Sequence, residues 1–214
     1  MKKILFAITL MFTISALAQE EIKEGVIIAS QIMSSENEQV NAQLEMMGKI
    51  ESKTYFKGGK SRGEVKNPMS GDVTTITDPS KLKILLLMDN PMMGKKFSLQ
   101  SIKEEDVNKI VIKKGKESKM ILGYKCDQYF LTSNQNGANL NIEMFVTEKV
   151  NGSSQFTVMS GNKIKGTPLT MVMKMNQMGT EILIKTEVTE IKKEAVSDDK
   201  FDMTPPEGYT DMKM

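Results

Sequence analysis

Apolar and polar residues alternate with a period of two along most of the chain, which is typical of β-strands with one buried face. Residues 25–33 ("GVIIASQIM") are the first such segment, and residues 49–65 form a pair around the turn Gly58-Gly59. The further alternating segments are 72–78, 81–89, 95–100, 109–114, 119–133, 140–150, 168–176 and 180–194. Turn-forming pairs such as Asn151-Gly152 lie between them. This spacing predicts a mainly β fold, an antiparallel sheet or barrel of roughly ten strands.

Two short stretches carry a helical pattern. Val40, Leu44 and Met47 lie at positions i, i+4 and i+7, which places them on one face of a helix. The polar residues before them fit a mobile loop equally well. Ser101 and Glu104 have the spacing of a capping box and predict one or two helical turns. We therefore expect one or two short helices beside the sheet.

The first eighteen residues have the pattern of a secretory signal peptide. Lys2 and Lys3 form a basic start, an apolar stretch follows, and "ALA" at residues 16–18 supplies the small residues of a cleavage site. Cleavage after Ala18 leaves residues 19–214 as a single β-rich domain. No cysteine follows the apolar stretch and no later apolar run is long enough to span a membrane, so neither a lipid nor a transmembrane anchor is expected. The sequence predicts a periplasmic or secreted protein.

The composition argues against most enzymatic sites. The chain has no histidine and one cysteine, which removes histidine general bases, the commonest metal ligand and any internal disulfide. Its net charge of +2 equals the charge of Lys2 and Lys3, so the mature chain is neutral and lacks the basic surface that binds nucleic acid. The carboxylate pair Glu104-Glu105 lies in a polar, solvated segment. We expect a protein that is not an enzyme and uses no cofactor and no metal.

The single cysteine, Cys126, lies within the longest alternating segment. If residues 119–133 form one strand, Cys126 shares a face with Met120, Leu122, Tyr124 and Phe130. A cysteine among apolar neighbours behaves as a small, inert hydrophobic residue. The alternatives are a redox-sensitive thiol and an intermolecular disulfide.

Methionine is unusually frequent, with nineteen residues in the chain. In "TPLTMVMKMNQM", Leu169, Met171, Met173 and Met175 alternate onto one face of a strand. Flexible thioethers suit irregular core packing and adaptable apolar surfaces, so this face is either packed core or the lining of a hydrophobic groove. A third interpretation is Cu(I) held by methionine sulfurs, because soft ligands select that ion.

Several segments resemble, in the same order, uncharacterised bacterial envelope families that are domains of unknown function. "KGKESKMILGYKCDQYFL" resembles their "G…K…I-x-G-Y-x-C…Y" strand. "DVTTITD", "MFVTEKV" and "GTPLTMVMKM…EILIKTEVTEI" are similar to further elements, with Phe145 where relatives often carry a tryptophan. The C-terminal "KFDMTPPEGY" resembles a closing F-x-x-P-x-G-Y element, with one extra residue before the proline. The resemblance extends over nearly the whole mature chain.

These families are distantly similar to the LolA/LolB/RseB lipoprotein-carrier superfamily. The resemblance implies a single twisted antiparallel sheet that forms an incomplete (half) β-barrel around a hydrophobic cavity, with short helices near residues 38–48 and 101–107 as movable covers. It implies a lipid, an acyl chain or a lipoprotein as the partner. The arginine of true carriers is not matched, because Arg62, the only arginine of the chain, lies in a turn-rich segment.

We therefore expect an exported, non-enzymatic binding module whose ligand lies on one apolar face of the sheet. The residues predicted to form that face are Leu86, Met88, Leu122, Tyr124, Met144, Met171, Met173, Met175, Ile182 and Ile184. The alternative is a structural or protein-interaction protein of the envelope with a filled core and no small ligand. A more remote alternative is the methionine-rich Cu(I) protein.

Overall fold

The computed structural model describes residues 20–67, 71–135, 138–177 and 179–212, and the predicted signal peptide lies outside these ranges. Twelve strands form one open sheet, which confirms the predicted mainly β, incomplete-barrel architecture and adds to the expected ten strands. In chain order the strands are β1 Glu24–Ser35, β2 Ile50–Lys57, β3 Lys60–Val65, β4 Asp72–Asp78, β5 Lys83–Asn90, β6 Gly94–Ser101, β7 Ile110–Ile121, β8 Tyr124–Gln135, β9 Ala138–Thr147, β10 Thr167–Gln177, β11 Thr180–Lys192 and β12 Thr210–Asp211.

Two antiparallel meanders build this sheet, because each strand from β1 to β6 and from β7 to β11 pairs with the next one in the chain. The meanders join where β1 pairs with β11, with Val26 opposite Lys192 and Met33 opposite Ile184. We call this pairing the seam. The edges are β7 and β12, and β12 is parallel to β6, which departs from the expected antiparallel arrangement.

Three short α-helices and one 3-10 helix accompany the sheet in the described ranges. They are α1 Glu38–Met47, α2 Glu104–Val107, α3 Gln155–Met159 and the 3-10 helix Asp198–Phe201. Val40, Leu44 and Met47 are half-buried in α1, which packs against β1, so the predicted helix is confirmed. The N-cap of α2 is Lys103, so the cap predicted at Ser101 is wrong.

One side of the sheet carries the core of the second meander. Met144 of β9 lies opposite Met171 of β10, and Met171 lies opposite Thr186 of β11. The side on which these residues lie is called the inner face. Buried residues of this core include Leu131, Ile142 and Met144, and α3 contributes Phe156 to it; the full set is Ile110, Leu131, Ile142, Met144, Val146, Phe156 and Ile164.

The opposite, outer face is covered over the first meander by the C-terminal tail. Ile76, Leu85 and Leu87 of β4 and β5 are buried there, and Met203 and Tyr209 of the tail pack against them. The closing element "KFDMTPPEGY" therefore covers a second hydrophobic cluster, and the tail then adds β12 beside β6.

The prediction of one strand at residues 119–133 is wrong. The chain turns at Leu122-Gly123, and both residues have positive φ angles of 50° and 82°, as in the tight turns that join β-hairpins. Ile121 of β7 therefore lies opposite Tyr124 of β8, and Met120 lies opposite Lys125. Met120 and Tyr124 consequently lie on opposite faces of the sheet.

Candidate functional site

Three successive rows of side chains cross the inner face from β1 to β7. The central row is Met33, Ile184, Met173, Ile142, Leu131 and Ile112. The flanking rows are Ser35, Ile182, Met175, Leu140, Ser133 and Ile110 on one side, and Gln31, Thr186, Met171, Met144, Tyr129 and Lys114 on the other. Leu131 and Ile142 are buried, whereas Met33, Met173 and Met175 are only half-buried. The apolar surface over β1 and β10 is thus incompletely covered.

The segment 151–166, which contains α3, crosses the inner face and covers part of it. Phe156 packs into the core of the second meander, and α3 also contacts β4 and β5. Ser153 holds the segment to the first meander, because its N–H donates to Ser61 Oγ at 2.8 Å and its hydroxyl lies 2.6 Å from Thr77 Oγ1. The segment therefore bridges the two halves of the open barrel.

A cavity of about 160 Å³ lies between the start of α3 and the inner face of β1, β10 and β11. Its apolar lining is Ile27, Ala29, Phe156, Pro168, Leu169, Met171 and Val188, and its polar lining is Ser52, Thr54, Ser153, Ser154, Gln155, Thr167, Thr170 and Thr186. This volume is close to the ~150 Å³ of a protein cavity that binds benzene. It is below the roughly 300–1,000 Å³ of drug-sized sites. The cavity fits a small apolar group or the end of a chain.

The structure brings most of the predicted binding residues onto one face. By cross-strand register, the residues on the inner face are Leu86, Met88, Met144, Met171, Met173, Met175, Ile182 and Ile184. Leu122 does not join them, because it lies in the β7–β8 turn, and Tyr124 lies on the outer face. Leu86 and Met88 lie on the first meander and do not line the cavity.

The residues that close the cavity were missed by the sequence analysis. Phe156 lies in a five-residue helix, which is too short for a periodic pattern, although Ser154 and Thr157 have the spacing of a capping box and do form one. Thr186 is a polar residue between Ile184 and Val188 on the apolar side of β11, and that interruption was a readable signal. Of the segments expected as covers, α1 packs on β1, whereas α2 lies in the connection from β6 to β7.

Cys126 belongs to a hydrophobic cluster that also contains Phe56, Phe145 and Leu169, and Ile121 and Tyr124 pack against this cluster. The Cys126 side chain is fully buried, and the Sγ atom lies 3.5 Å from the carbonyl oxygen of Tyr124. Burial, assisted by the negative charge of Asp127, raises the pKa of the Cys126 thiol to about 11. The thiol is therefore protonated at neutral pH and inert.

The native protein is expected to react very slowly with a thiol reagent at pH 7. A thiol with a pKa of about 11 has only about one part in ten thousand in the reactive thiolate form at that pH. Because the pKa is raised, the thiolate fraction and the labelling rate increase as the pH rises toward 11. Stopped-flow labelling with a chromogenic disulfide, with and without urea, measures this. Native labelling as fast as labelling in urea at pH 7 would contradict the buried position.

Three methionines line one pocket elsewhere in the structure, next to the turn between β5 and β6. Met88, Met93 and Met212 line a pocket of about 320 Å³ together with Lys96 and Asp211. Cys126 does not line this pocket.

The described ranges contain no group of three or more Cys, Asp or Glu side chains that could hold a metal ion. None of the helices within residues 20–67, 71–135, 138–177 and 179–212 is long and apolar enough to cross a membrane. Arg62 is paired with Glu64 at 2.7 Å on the outer face.

Comparisons with known proteins give a family for this chain and a distant structural likeness. A family model described as "Domain of unknown function (DUF4412)" matches residues 39–209. No curated protein matches the chain. Among solved structures, the chain is similar to "Structure of PNGF-II in C2 space group", with a TM-score of 0.48 and 15% identity. The likeness covers 88% of this chain and 31% of the other, so this chain spans about a third of that protein's length.

Proposed function

The chain belongs to the DUF4412 family, a domain of unknown function, and on its own geometry we propose that it is an exported, non-enzymatic binding module for an apolar chain. The ligand is the acyl chain of a lipid or a lipoprotein. Its end enters the cavity beside α3, and the rest lies along the half-covered rows of β1, β10 and β11.

The observation that carries this proposal is the incomplete cover of the inner face. Met33, Met173 and Met175 are half-buried on the inner face, and their strands β1 and β10 also contribute residues such as Ala29 and Met171 to the largely apolar lining of the cavity. Leaving such surface in water forfeits about 25 cal/mol per Å². An acyl chain laid along it removes that cost, and flexible thioethers adapt to chains of different shape.

Export supports the same function, because residues 1–18 have the pattern of a signal peptide and a lipid carrier outside the cytoplasm works between membranes. The resemblance to the lipoprotein-carrier superfamily points to the same ligand class.

A second candidate is a protein-interaction module without a small ligand. One observation favours it: the segment 151–166 already fills much of the half-barrel, with Phe156 buried against Met144 and Ile142. Native mass spectrometry of protein purified from its own host separates the two. A co-purifying lipid on a chain that begins at Gln19 supports the carrier, and a bare chain supports the interaction module.

Met173→Asp is expected to weaken binding of a fluorescent fatty-acid analogue at least about tenfold, because a charge at this half-buried position meets Ile142 and Ile184. Met92→Asp is the matched control, since Met92 is 95% exposed and lies off the inner face, and it should bind as the wild type does. Thermal unfolding of each variant verifies the fold, and Met173→Gln serves if the aspartate variant is unfolded. The proposal is wrong if the wild type does not bind the analogue, or if a folded Met173→Asp variant binds it as the wild type does.

A further inference from the structure

We propose that the pocket lined by Met88, Met93 and Met212 binds a single soft, monovalent metal ion, Cu(I), through the three methionine sulfurs. We call it the methionine pocket. This inference goes beyond the proposed function, because the methionine pocket shares no lining residue with the cavity beside α3. The Cu(I) alternative drawn from the sequence concerned the methionines of β10, so this site is a different one.

The three methionines come from three different segments of the chain and line the same pocket. Met88 belongs to β5, Met93 lies in the turn between β5 and β6, and Met212 directly follows β12. Met88 lies opposite Lys96 of β6, and Thr210 of β12 lies opposite the same lysine. The pairing of β12 with β6 therefore adds the third thioether to the pocket.

Hydrogen bonds to the backbone fix the positions from which two of these side chains start. The side chain of Asn90 accepts the N–H groups of Met92 and Met93 at 2.8 and 2.9 Å, which holds the turn. The N–H of Met212 donates to the carbonyl oxygen of Phe97 at 2.9 Å, which holds the end of the tail on β6. The thioether side chains themselves are flexible, so they can close around an ion within a pocket of about 320 Å³.

Core packing does not account for the placement of Met93 and Met212. Met93 is 61% exposed and Met212 is 37% exposed, whereas a core methionine such as Met144 is fully buried. Apolar side chains left in water contribute little to stability, because the favourable term comes from the area removed from water. Side chains this open are, however, accessible to a dissolved ion, as a metal site requires.

The rest of the lining is compatible with Cu(I). Asn90 and Gly94 are uncharged, and Lys96 and Asp211 carry opposite charges, so the lining as a whole is neutral. Lys96 is only half-buried, and its long side chain can keep the ammonium group in water.

The donor atoms determine which ion the methionine pocket selects. Its lining has one carboxylate, that of Asp211, and contains neither a histidine nor a cysteine. Zn²⁺ prefers nitrogen and thiolate ligands, and Ca²⁺ and Mg²⁺ prefer several oxygen ligands, so this set suits none of them. Three soft thioether sulfurs favour Cu(I). Thioethers also form no disulfides, which suits the expected export of the chain.

The test titrates the purified protein with Cu(I), kept reduced by ascorbate under argon, in competition with the chromogenic chelator bicinchoninate. Met93→Leu and Met212→Leu each remove one sulfur and keep a similar side-chain volume. Met92→Leu is the matched control, because Met92 is the neighbouring residue, is 95% exposed and does not line the pocket. Met173→Leu controls for binding by the methionines of the inner face. Thermal unfolding verifies that each variant is folded.

The wild type is expected to bind one Cu(I) ion, and binding should shift the ¹³C-methyl resonances of Met88, Met93 and Met212. Met93→Leu and Met212→Leu should each weaken binding at least about tenfold, since losing a residue that only supports a metal ligand already costs about 10–100-fold. Met92→Leu and Met173→Leu should bind Cu(I) as the wild type does.

The inference is wrong if the wild type binds no Cu(I), if Met93→Leu binds it as tightly as the wild type, or if Met173→Leu loses it. Binding of the fatty-acid analogue is measured on the same samples and should be unchanged in Met93→Leu. Failure of Cu(I) binding alone therefore refutes this inference and leaves the proposed function standing. Failure of the wild type to bind the analogue refutes the proposed function and leaves the Cu(I) site standing.

Discussion

Gly25→Ala is expected to lower the free energy of unfolding by about 3 kcal/mol or more. Gly25 lies opposite Phe56 in the pairing of β1 with β2, one residue before the seam pair Val26 and Lys192. A Cβ atom at this position would collide with the carbonyl oxygen of Lys192 in β11 and would lie 3.3 Å from the Phe56 ring. The colliding atom is backbone, so relief requires β1 and β11 to move apart at the middle of the sheet.

Gly63→Ala is the matched control for this substitution. Gly63 lies on the same face, opposite Thr54, and the nearest atom to an added Cβ is Thr54 Oγ1 at 3.4 Å, an ordinary contact. The free energy of unfolding of the Gly63→Ala variant should differ from that of the wild type by less than about 1 kcal/mol. Alanine lowers the entropy of the unfolded chain, and this offsets a small strain in the folded state. Urea denaturation followed by circular dichroism measures both variants. Equal stabilities of the two variants would show that the seam tolerates the extra atom.

Phe56→Ala is expected to cost about 3–5 kcal/mol, the usual loss for a large aromatic residue in a core. Phe56 is fully buried and belongs to the cluster that contains Ile27, Leu169 and Val188. Gly152, in the segment 151–166, also approaches Phe56 closely, because a Cβ added at Gly152 would lie 3.3 Å from the Phe56 Cβ atom.

The control is Phe130→Ala, because Phe130 is the same residue type in a strand but is 38% exposed. It should cost about 1 kcal/mol or less, measured in the same denaturation experiment. Phe56→Ala should not rescue Gly25→Ala, since the principal clash of the added methyl is with the Lys192 carbonyl and not with the ring. Rescue would show that the ring, rather than the strand spacing, limits this position.

The strands were predictable from the sequence because period-two alternation reports a sheet with one buried face. The hairpin at Leu122-Gly123 was not, because alternation continues through it and leucine is rare at a positive φ angle. The turn lacks the Asn-Gly or Asp-Gly pair that identifies such hairpins in a sequence. The sequence therefore predicted Leu122 within a strand and Met120 and Tyr124 on the same face of the sheet, whereas the two residues lie on opposite faces.

The methionine face was predictable for the same reason as the strands. Met171, Met173 and Met175 keep their alternation, and cross-strand register then places Ile182 and Ile184 beside them. The cavity was not predictable, because its roof is a five-residue helix positioned by contacts such as Ser153 with Ser61, far apart in the chain. Such contacts leave no local pattern in the sequence.

The seam also dictates an order of assembly. Each meander is built from neighbours in the chain, whereas Val26 must find Lys192 across most of the polypeptide, and closing so long a loop is slow. A nascent chain that lacks β11 therefore holds β1 and β10 as open edges, which are templates for aggregation. We expect the β1 and β11 amides to become protected last in pulse-labelled hydrogen exchange during refolding, and earlier protection of this pairing than of the meanders would refute that order. Before β11 is synthesised and pairs with β1 and β10, the polypeptide consists of two separate half-sheets with exposed edge strands. Fast pairing of β11, or a chaperone that covers those edges, would prevent aggregation at this stage.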